Sequence, residues 1–395
     1  MGGALMPTVP TRTSKLPRSG IRVVMDLAWA SAKPVLRLEA GQPDVAPPDH
    51  VLEAMRESIA RKETGYTPNA GLPALREACA AKLARVNRIH RSPEQIVIST
   101  GSMEGLLSAV LGLCEPGDEV LIPDPGWPNY AMVCRLGSLR GVAYPLRPEN
   151  DYRPDLDEVD ALVNGRTRMV IVNSPSNPLG TVWDDEVISG WVELAERHDL
   201  WVLSDECYDE IIFDADATSP AAVDSGDERV VAVHSFSKTY AMTGLRVGYV
   251  SGPLHVIETL TKMQEALVAC VNGPAQRGAI AALEGPQDFV VAMRERYQRR
   301  RDLALSVARE TAIPHVVPQG AFYLWLPLGA GIGETMEFCR RLVSDAKVAV
   351  APGETFGSNG AGAIRVSLAA SEETIDEGMR RIASVVQATS RPQRP

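Results

Sequence analysis

Val230-Val231-Ala232-Val233-His234-Ser235-Phe236-Ser237-Lys238, running on into Thr239-Tyr240-Ala241-Met242-Thr243-Gly244-Leu245-Arg246-Val247-Gly248-Tyr249-Val250, is where the fold is most legible. The run Val230–Val233 has no polar alternation, so it reads as a strand buried on both faces, the habit of parallel sheets. It stops abruptly at hydroxyls and an amine. Residues 245–250 follow too closely for a helical crossover, which predicts an antiparallel strand beside it and therefore a mixed sheet. Working outward, similar short runs occur at Gln95–Ser99, Glu119–Ile122, Met169–Val172 and Trp201–Ser204, each flanked by turn residues. Longer segments with helical periodicity, such as Met103–Leu113 and Glu186–His198, lie between them. Strands alternating with helices predict βαβ units and a mainly parallel sheet sandwiched by helices, an α/β fold.

After Gly285-Pro286 the rhythm changes to a long helix over roughly 287–310, strands near Ala321–Leu326 and Ala363–Ser367, a helix near Met336–Ser344 and a closing helix from Glu372. The expected organisation is a flexible arm over 1–20, a segment over 21–48 packing with the smaller unit, a large domain over 49–285 and a small α+β domain over 286–395.

The chain has 395 residues, 45% of them hydrophobic, enough for full cores without disulfide or metal support. A net charge of −10 and a pI near 5.3 argue against a nucleic-acid partner, which wants a basic face. Arg299-Arg300-Arg301 is the one tight basic run and reads as a solvated helix face. Six cysteines have no CxxC pair and no Cys/His cluster, so no metal is expected and a reducing compartment, the cytoplasm, is. No apolar segment suggests a secretory signal or a bilayer span, and Met6 stands where an acylation signal beginning Met1-Gly2 needs Ser or Thr.

In open parallel sheets, ligands bind beyond the carboxyl ends of the strands. After the first run comes Thr100-Gly101-Ser102-Met103, a helix start whose free N–H groups suit a phosphate, although such turns also simply begin helices. After the third comes Asn173-Ser174-Pro175-Ser176-Asn177-Pro178-Leu179-Gly180, which on composition alone is a turn. After the fourth comes Asp205-Glu206-Cys207-Tyr208, and after the fifth Lys238, bracketed by hydroxyls, with Arg246 between two glycines. An amide, a carboxylate with a phenol, and an amine with a guanidinium and hydroxyls are what pyridoxal phosphate needs. The amine forms an imine, the cation and hydroxyls hold the phosphate, the carboxylate keeps the ring nitrogen protonated, and the phenol and amide bond the ring oxygen.

Five motifs, in order, now stand together: Leu38–Asp44 (LEAGQPD), Gly65–Arg76 (GYTPNAGLPALR), Asn177–Gly180 (NPLG), Asp205–Tyr208 (DECY) and Ser235–Gly248 (SFSKTYAMTGLRVG). From about Leu38 to the closing helix the chain resembles the class I/II aminotransferases of the fold-type-I pyridoxal-phosphate enzymes, the aspartate-aminotransferase-like family. The resemblance implies that Lys238 is the Schiff-base lysine and proton shuttle, that Asp205 pairs with the ring nitrogen, and that Tyr208 and Asn177 contact the ring oxygen. Ser235, Arg246 and the Ser102-Met103 turn would hold the phosphate, and Trp127 would stack on the ring. Tyr66 would reach the phosphate of a neighbouring subunit, making a homodimer with shared sites. Arg365 would clamp the substrate α-carboxylate, helped by Asn177 and the Gly41 backbone. It also implies cis peptide bonds before Pro125 and Pro178.

The implied activity is ping-pong transamination between amino acids and 2-oxo acids. Elimination, replacement or oxidative reactions use the same cofactor on the same fold, and related modules serve as ligand sensors behind a DNA-binding head, for which the residues before this module offer no candidate. Met103 occupies a position where one branch of the family carries a lysine for a distal carboxylate, and Val271–Pro274, where another supplies an arginine, has no basic residue. Aspartate is therefore expected to be a poor donor, an amino acid with an apolar, aromatic or neutral polar side chain a better one.

Overall fold

Apolar runs of β-branched residues at the expected places form strands because their side chains disappear on both faces: Val230, Val231, Ala232 and Val233 are each 0% exposed. This computed structural model describes residues 8–390. In chain order the strands are β1 (Leu36–Leu38), β2 (Ile96–Ser99), β3 (Glu119–Asp124), β4 (Arg140–Pro145), β5 (Thr167–Asn173), β6 (Trp201–Asp205), β7 (Val230–Ser235), β8 (Gly248–Ser251), β9 (Tyr323–Pro327), β10 (Val348–Pro352) and β11 (Ala363–Ser367).

Seven of them make one sheet in the order β2-β8-β7-β6-β5-β3-β4. β3 through β7 run parallel to one another, and β8 is antiparallel to both β2 and β7. The register sets Asn173 beside Asp205, Asp205 beside Val233 and Ser235 beside Gly248, so the chemically rich strand ends share one edge. Helices Gly101–Leu113, Asp185–His198 and Leu254–Leu267 are among those that cover the faces. The second sheet, β1-β10-β11-β9, carries Arg365 on β11, opposite Trp325 on β9 and Ala351 on β10. β1 pairs in parallel with β10, so the segment before residue 48 joins this smaller sheet. No helix among the described residues is long and apolar enough to cross a membrane.

The two sheets meet at a polar seam. The Asp124 carboxylate at the end of β3 accepts hydrogen bonds from Ser358 N (3.1 Å), Ser358 Oγ (2.6 Å) and Asn359 N (3.0 Å). Gly126 N donates to Phe356 O (2.7 Å), and Gly320 N to Gly180 O (2.9 Å).

Several sequence expectations need correction. The arm expected over 1–20 contains a helical turn at Thr11–Ser14, and Gly20 already opens the helix Gly20–Ala30; Met1–Pro7, with the acylation reading, lie outside the described residues. β4 and β10 were not expected as strands. β4 lies at the sheet edge, where its exposed positions hide the apolar signal. Most consequentially, Arg300 and Arg301 are not a solvated face: they are only 5% and 6% exposed. Arg300 makes a bidentate pair with Asp44 (2.9 and 2.7 Å), and Arg301 pairs with Asp214 (2.5 Å) and lies over the Phe213 ring; Arg299 alone remains outward.

Asp44 keeps 29% of its side chain exposed, so the Arg300 pair is discounted below a fully buried one. Arg300→Ala should cost about 2 kcal/mol of unfolding free energy, whereas Arg299→Ala should change it by less than about 0.5 kcal/mol. Denaturant midpoints for the two variants check this; equal effects would restore the solvated-face reading.

Candidate active site

Beyond the carboxyl ends of β5, β6 and β7 lies a cavity of about 960 Å³, lined by Ser102, Met103, Trp127, Asn177, Asp205, Tyr208, Ser235, Lys238, Arg246, Arg365 and Gly41, among others. Of the residues expected at the site, only Tyr66 is elsewhere: it is 93% exposed.

Lys238 sits in the short helix Phe236–Thr239 that β7 runs into, with Ser235 Oγ accepting from Ser237 N (3.1 Å) to cap it. Its Nζ donates to Gly41 O (2.6 Å). Burial lowers its pKa to about 8; the nearby Arg365 and Arg246 guanidiniums push the same way, and Cys207 and Asp205 push against it. Lowering the pKa raises the share of neutral amine near neutrality, the form a nucleophile or base requires.

Asp205 is buried, which raises its pKa; hydrogen bonds from Tyr130 and Cys207 work against that rise. Tyr130 OH donates to Oδ2 (2.6 Å), Cys207 N to Oδ1 (3.3 Å). A cationic partner at the cavity side would supply the opposite charge that a buried carboxylate lacks. Asn173 braces two strand ends: its Nδ2 donates to Asp205 O (2.9 Å), and its Oδ1 accepts from Asn177 N (2.9 Å).

Arg365 reaches in from β11 of the smaller sheet and is 2% exposed. Nη1 donates to Asn177 Oδ1 (2.7 Å), Nη2 to Glu39 O (2.7 Å), and the guanidinium lies 4.0 Å from the Tyr323 ring centre and 4.9 Å from that of Phe356. Its Nε has no hydrogen-bond partner in the protein. A buried guanidinium with an unspent N–H, its acidity increased by burial, is suited to a carboxylate ligand. Tyr208 OH is hydrogen-bonded to Tyr323 OH (2.8 Å), and burial holds the Tyr208 phenol well above its ordinary pKa.

The end of the cavity beside Arg246 is shaped by two glycines. Gly101 adopts φ +71°, and a Cβ there would fall 2.5 Å from Arg246 Nη2; at Gly248 a Cβ would fall 2.7 Å from Ser102 N. Arg246, itself at φ 54° and anchored through Nη1 to Thr243 O (2.7 Å), thus lies against the N-terminus of helix Gly101–Leu113. A guanidinium, a helix N-terminus and the Ser235 hydroxyl in one cradle fit a phosphate monoester. Peptide bonds 124–125 and 177–178 are cis, as expected, and so is Ser174–Pro175.

Tyr130 and Tyr323 escaped the sequence reading. Tyr130 lies three residues after Trp127, whose ring it meets edge-on at 5.6 Å, so one turn of chain delivers both. Tyr323 alternates with Trp325 on β9, a pattern indistinguishable from a core strand.

The family model for aminotransferase class I and II matches residues 33–382. The chain belongs to the class I and II aminotransferases. This aminotransferase is 37% identical over 373 residues to an aspartate aminotransferase of Pyrococcus abyssi, covering 93% of this chain and 96% of that protein. It is 35% identical to aromatic-amino-acid aminotransferase 2 of Thermococcus litoralis, over 93% and 96% of the two chains. Its structure resembles that of Thermus thermophilus aspartate aminotransferase with maleate, with a TM-score of 0.92, 33% identity and coverage of 96% and 100%. The enzyme class and its cofactor, pyridoxal phosphate, follow from this membership, and the alternative reactions on the same fold are not favoured.

Because burial depresses the Lys238 pKa, its reactivity in cofactor-free enzyme toward a small neutral acylating reagent should rise with pH to a midpoint near 8, against about 10.4 for an exposed lysine. Peptide mass mapping of the modified residue across a pH series checks this; a midpoint above 10 contradicts it.

Proposed function

We propose that this aminotransferase works by two successive half-reactions at one site, with Lys238 as covalent anchor and base, Asp205 as the charge partner of the cofactor ring and Arg365 as the substrate clamp. The observation that carries the reading is the meeting of a buried amine of lowered pKa, a buried carboxylate and a buried guanidinium in one cavity.

When bound, pyridoxal phosphate supplies a sink for the electron pair left at the substrate Cα. Arg246, Ser235 and the backbone at Ser102-Met103 would hold its phosphate, and Trp127 would cover its ring. Asp205, oriented by Tyr130, would face the ring nitrogen. Tyr208 would donate to the ring oxygen, as would Asn177 through Nδ2, since its Oδ1 is taken by Arg365. Arg365 clamps the α-carboxylate of the amino acid in the first half-reaction and of the 2-oxo acid in the second, so both substrates present Cα at the same place. Lys238 Nζ, displaced from its anchoring role by the substrate amine, takes the Cα proton in its neutral form. Gly41 O, which accepts from Nζ at 2.6 Å, helps hold the amine at this end of the cavity.

The division into a cofactor-holding domain (49–285) and a smaller domain (286–395, joined by 21–48) is part of this reading and is supported by the two sheets. So is a homodimer with shared sites. Tyr66 is 93% exposed, and Thr67 beside it is tied to Cys270 Sγ and Val271 O, which leaves an outward phenol on an anchored loop. A cytoplasmic location accords with six cysteines that form no disulfide.

Lys238→Ala should fold and retain noncovalent cofactor but lose turnover, measured by oxo-acid formation; residual turnover at the wild-type rate would remove Lys238 from the chemistry. Asp205→Asn should keep the fold and lower kcat/KM by roughly a thousandfold, whereas near-normal activity would make Asp205 a mere helix cap. Mixed dimers of Tyr66→Phe and Lys238→Ala chains should contain one site carrying both lesions and one carrying neither, with activity to match; a strictly monomeric active species would rule out shared sites.

A further inference from the structure

We infer that the side-chain end of the cavity selects amino acids with uncharged side chains, aliphatic, thioether or aromatic, over dicarboxylic ones; the inference rests on the aminotransferase reading above. Three methionines line the cavity, Met25 from helix Gly20–Ala30, Met103 from helix Gly101–Leu113 and Met132 from helix Asn129–Leu136, together with Trp127. Thioethers are flexible and polarizable, so they fit varied apolar or aromatic groups, but they offer a carboxylate no donor.

The cations that line the cavity are otherwise engaged or outside. Arg365 lies between Asn177 and Glu39, Arg246 lies against the start of helix Gly101–Leu113, and Lys238 is the reacting amine. Arg18 pairs with Asp26 and keeps 69% of its side chain exposed. Arg22 is exposed and reaches only Met25 Sδ, at 3.9 Å. A neutral donor that lines the cavity, Asn129 Nδ2, is directed at Met103 Sδ (3.1 Å). A second carboxylate carried into the methionine wall would lose its water without gaining a buried cationic partner of the Arg365 kind, and that desolvation opposes binding. Overall similarity does not decide the matter, because relatives at 37% and 35% identity bear aspartate and aromatic names respectively.

The test uses the cofactor-loaded dimer or whatever oligomer is purified. Single-turnover rate constants, read from the cofactor's absorbance, are measured for aspartate, glutamate, leucine, methionine and phenylalanine, with wild type and with Arg22→Gln. The best uncharged amino acid should exceed aspartate and glutamate by roughly tenfold or more, and Arg22→Gln should leave that order unchanged. A wild-type preference for aspartate or glutamate overturns the inference while leaving the aminotransferase reading intact, and its loss in Arg22→Gln would identify Arg22 as the missing clamp. Silence toward every amino acid would overturn both.

Discussion

Two buried cations, Lys238 and Arg365, facing one buried carboxylate, Asp205, are the constraint around which this molecule is arranged. The protein as a whole carries a net charge of −10, yet Lys238, Arg246 and Arg365 all face the cavity against one carboxylate, Asp205, while Arg18, paired with Asp26, and Arg22 stay exposed at its rim. Burial makes the uncompensated Arg365 guanidinium costly, so that end of the site is poised to take up an anion, and it shifts the Lys238 amine toward its neutral form. A phosphate and an α-carboxylate are the anions whose shapes fit Arg246 with a helix N-terminus and Arg365 with its free Nε. Charge surplus thus links cofactor capture, substrate capture and the readiness of Lys238 in one electrostatic argument.

That arrangement needs both sheets. The parallel sheet sets Asn173 in register with Asp205, with Ser235 two residues beyond Val233 on the next strand, and the smaller sheet sends Arg365 across to Asn177. The seam between them is held by directional contacts, the Asp124 carboxylate on the Ser358-Asn359 turn and Gly126 on Phe356, so that a modest shift of one sheet would change the reach of Arg365. Arg300 and Asp44 secure the N-terminal segment that supplies the Gly41 carbonyl to Lys238.

Much of this was readable from the chain because strand ends announce themselves: an apolar run that stops at Asn173, Asp205 or Ser235 places those residues on one edge once the sheet is parallel. Groups acting through a neighbour were not readable. Tyr130 and Tyr323 look like core aromatics, and their roles appear only when Asp205 and Tyr208 are found at 2.6 and 2.8 Å. Arg300 and Arg301 were misread for the same reason: their partners, Asp44 and Asp214, lie far away in the chain, while their immediate neighbours are polar. β4 was missed because an edge strand has little need of apolar alternation. Tyr66 is 93% exposed and lies away from the cavity within one chain.

The most direct test of the account is to reduce the cofactor-loaded enzyme with borohydride and map the modified peptide by mass. Attachment of the cofactor to Lys238, abolished when saturating amino acid is added before reduction, is the result the account predicts. Attachment to any other lysine, or no attachment while turnover persists, would contradict it.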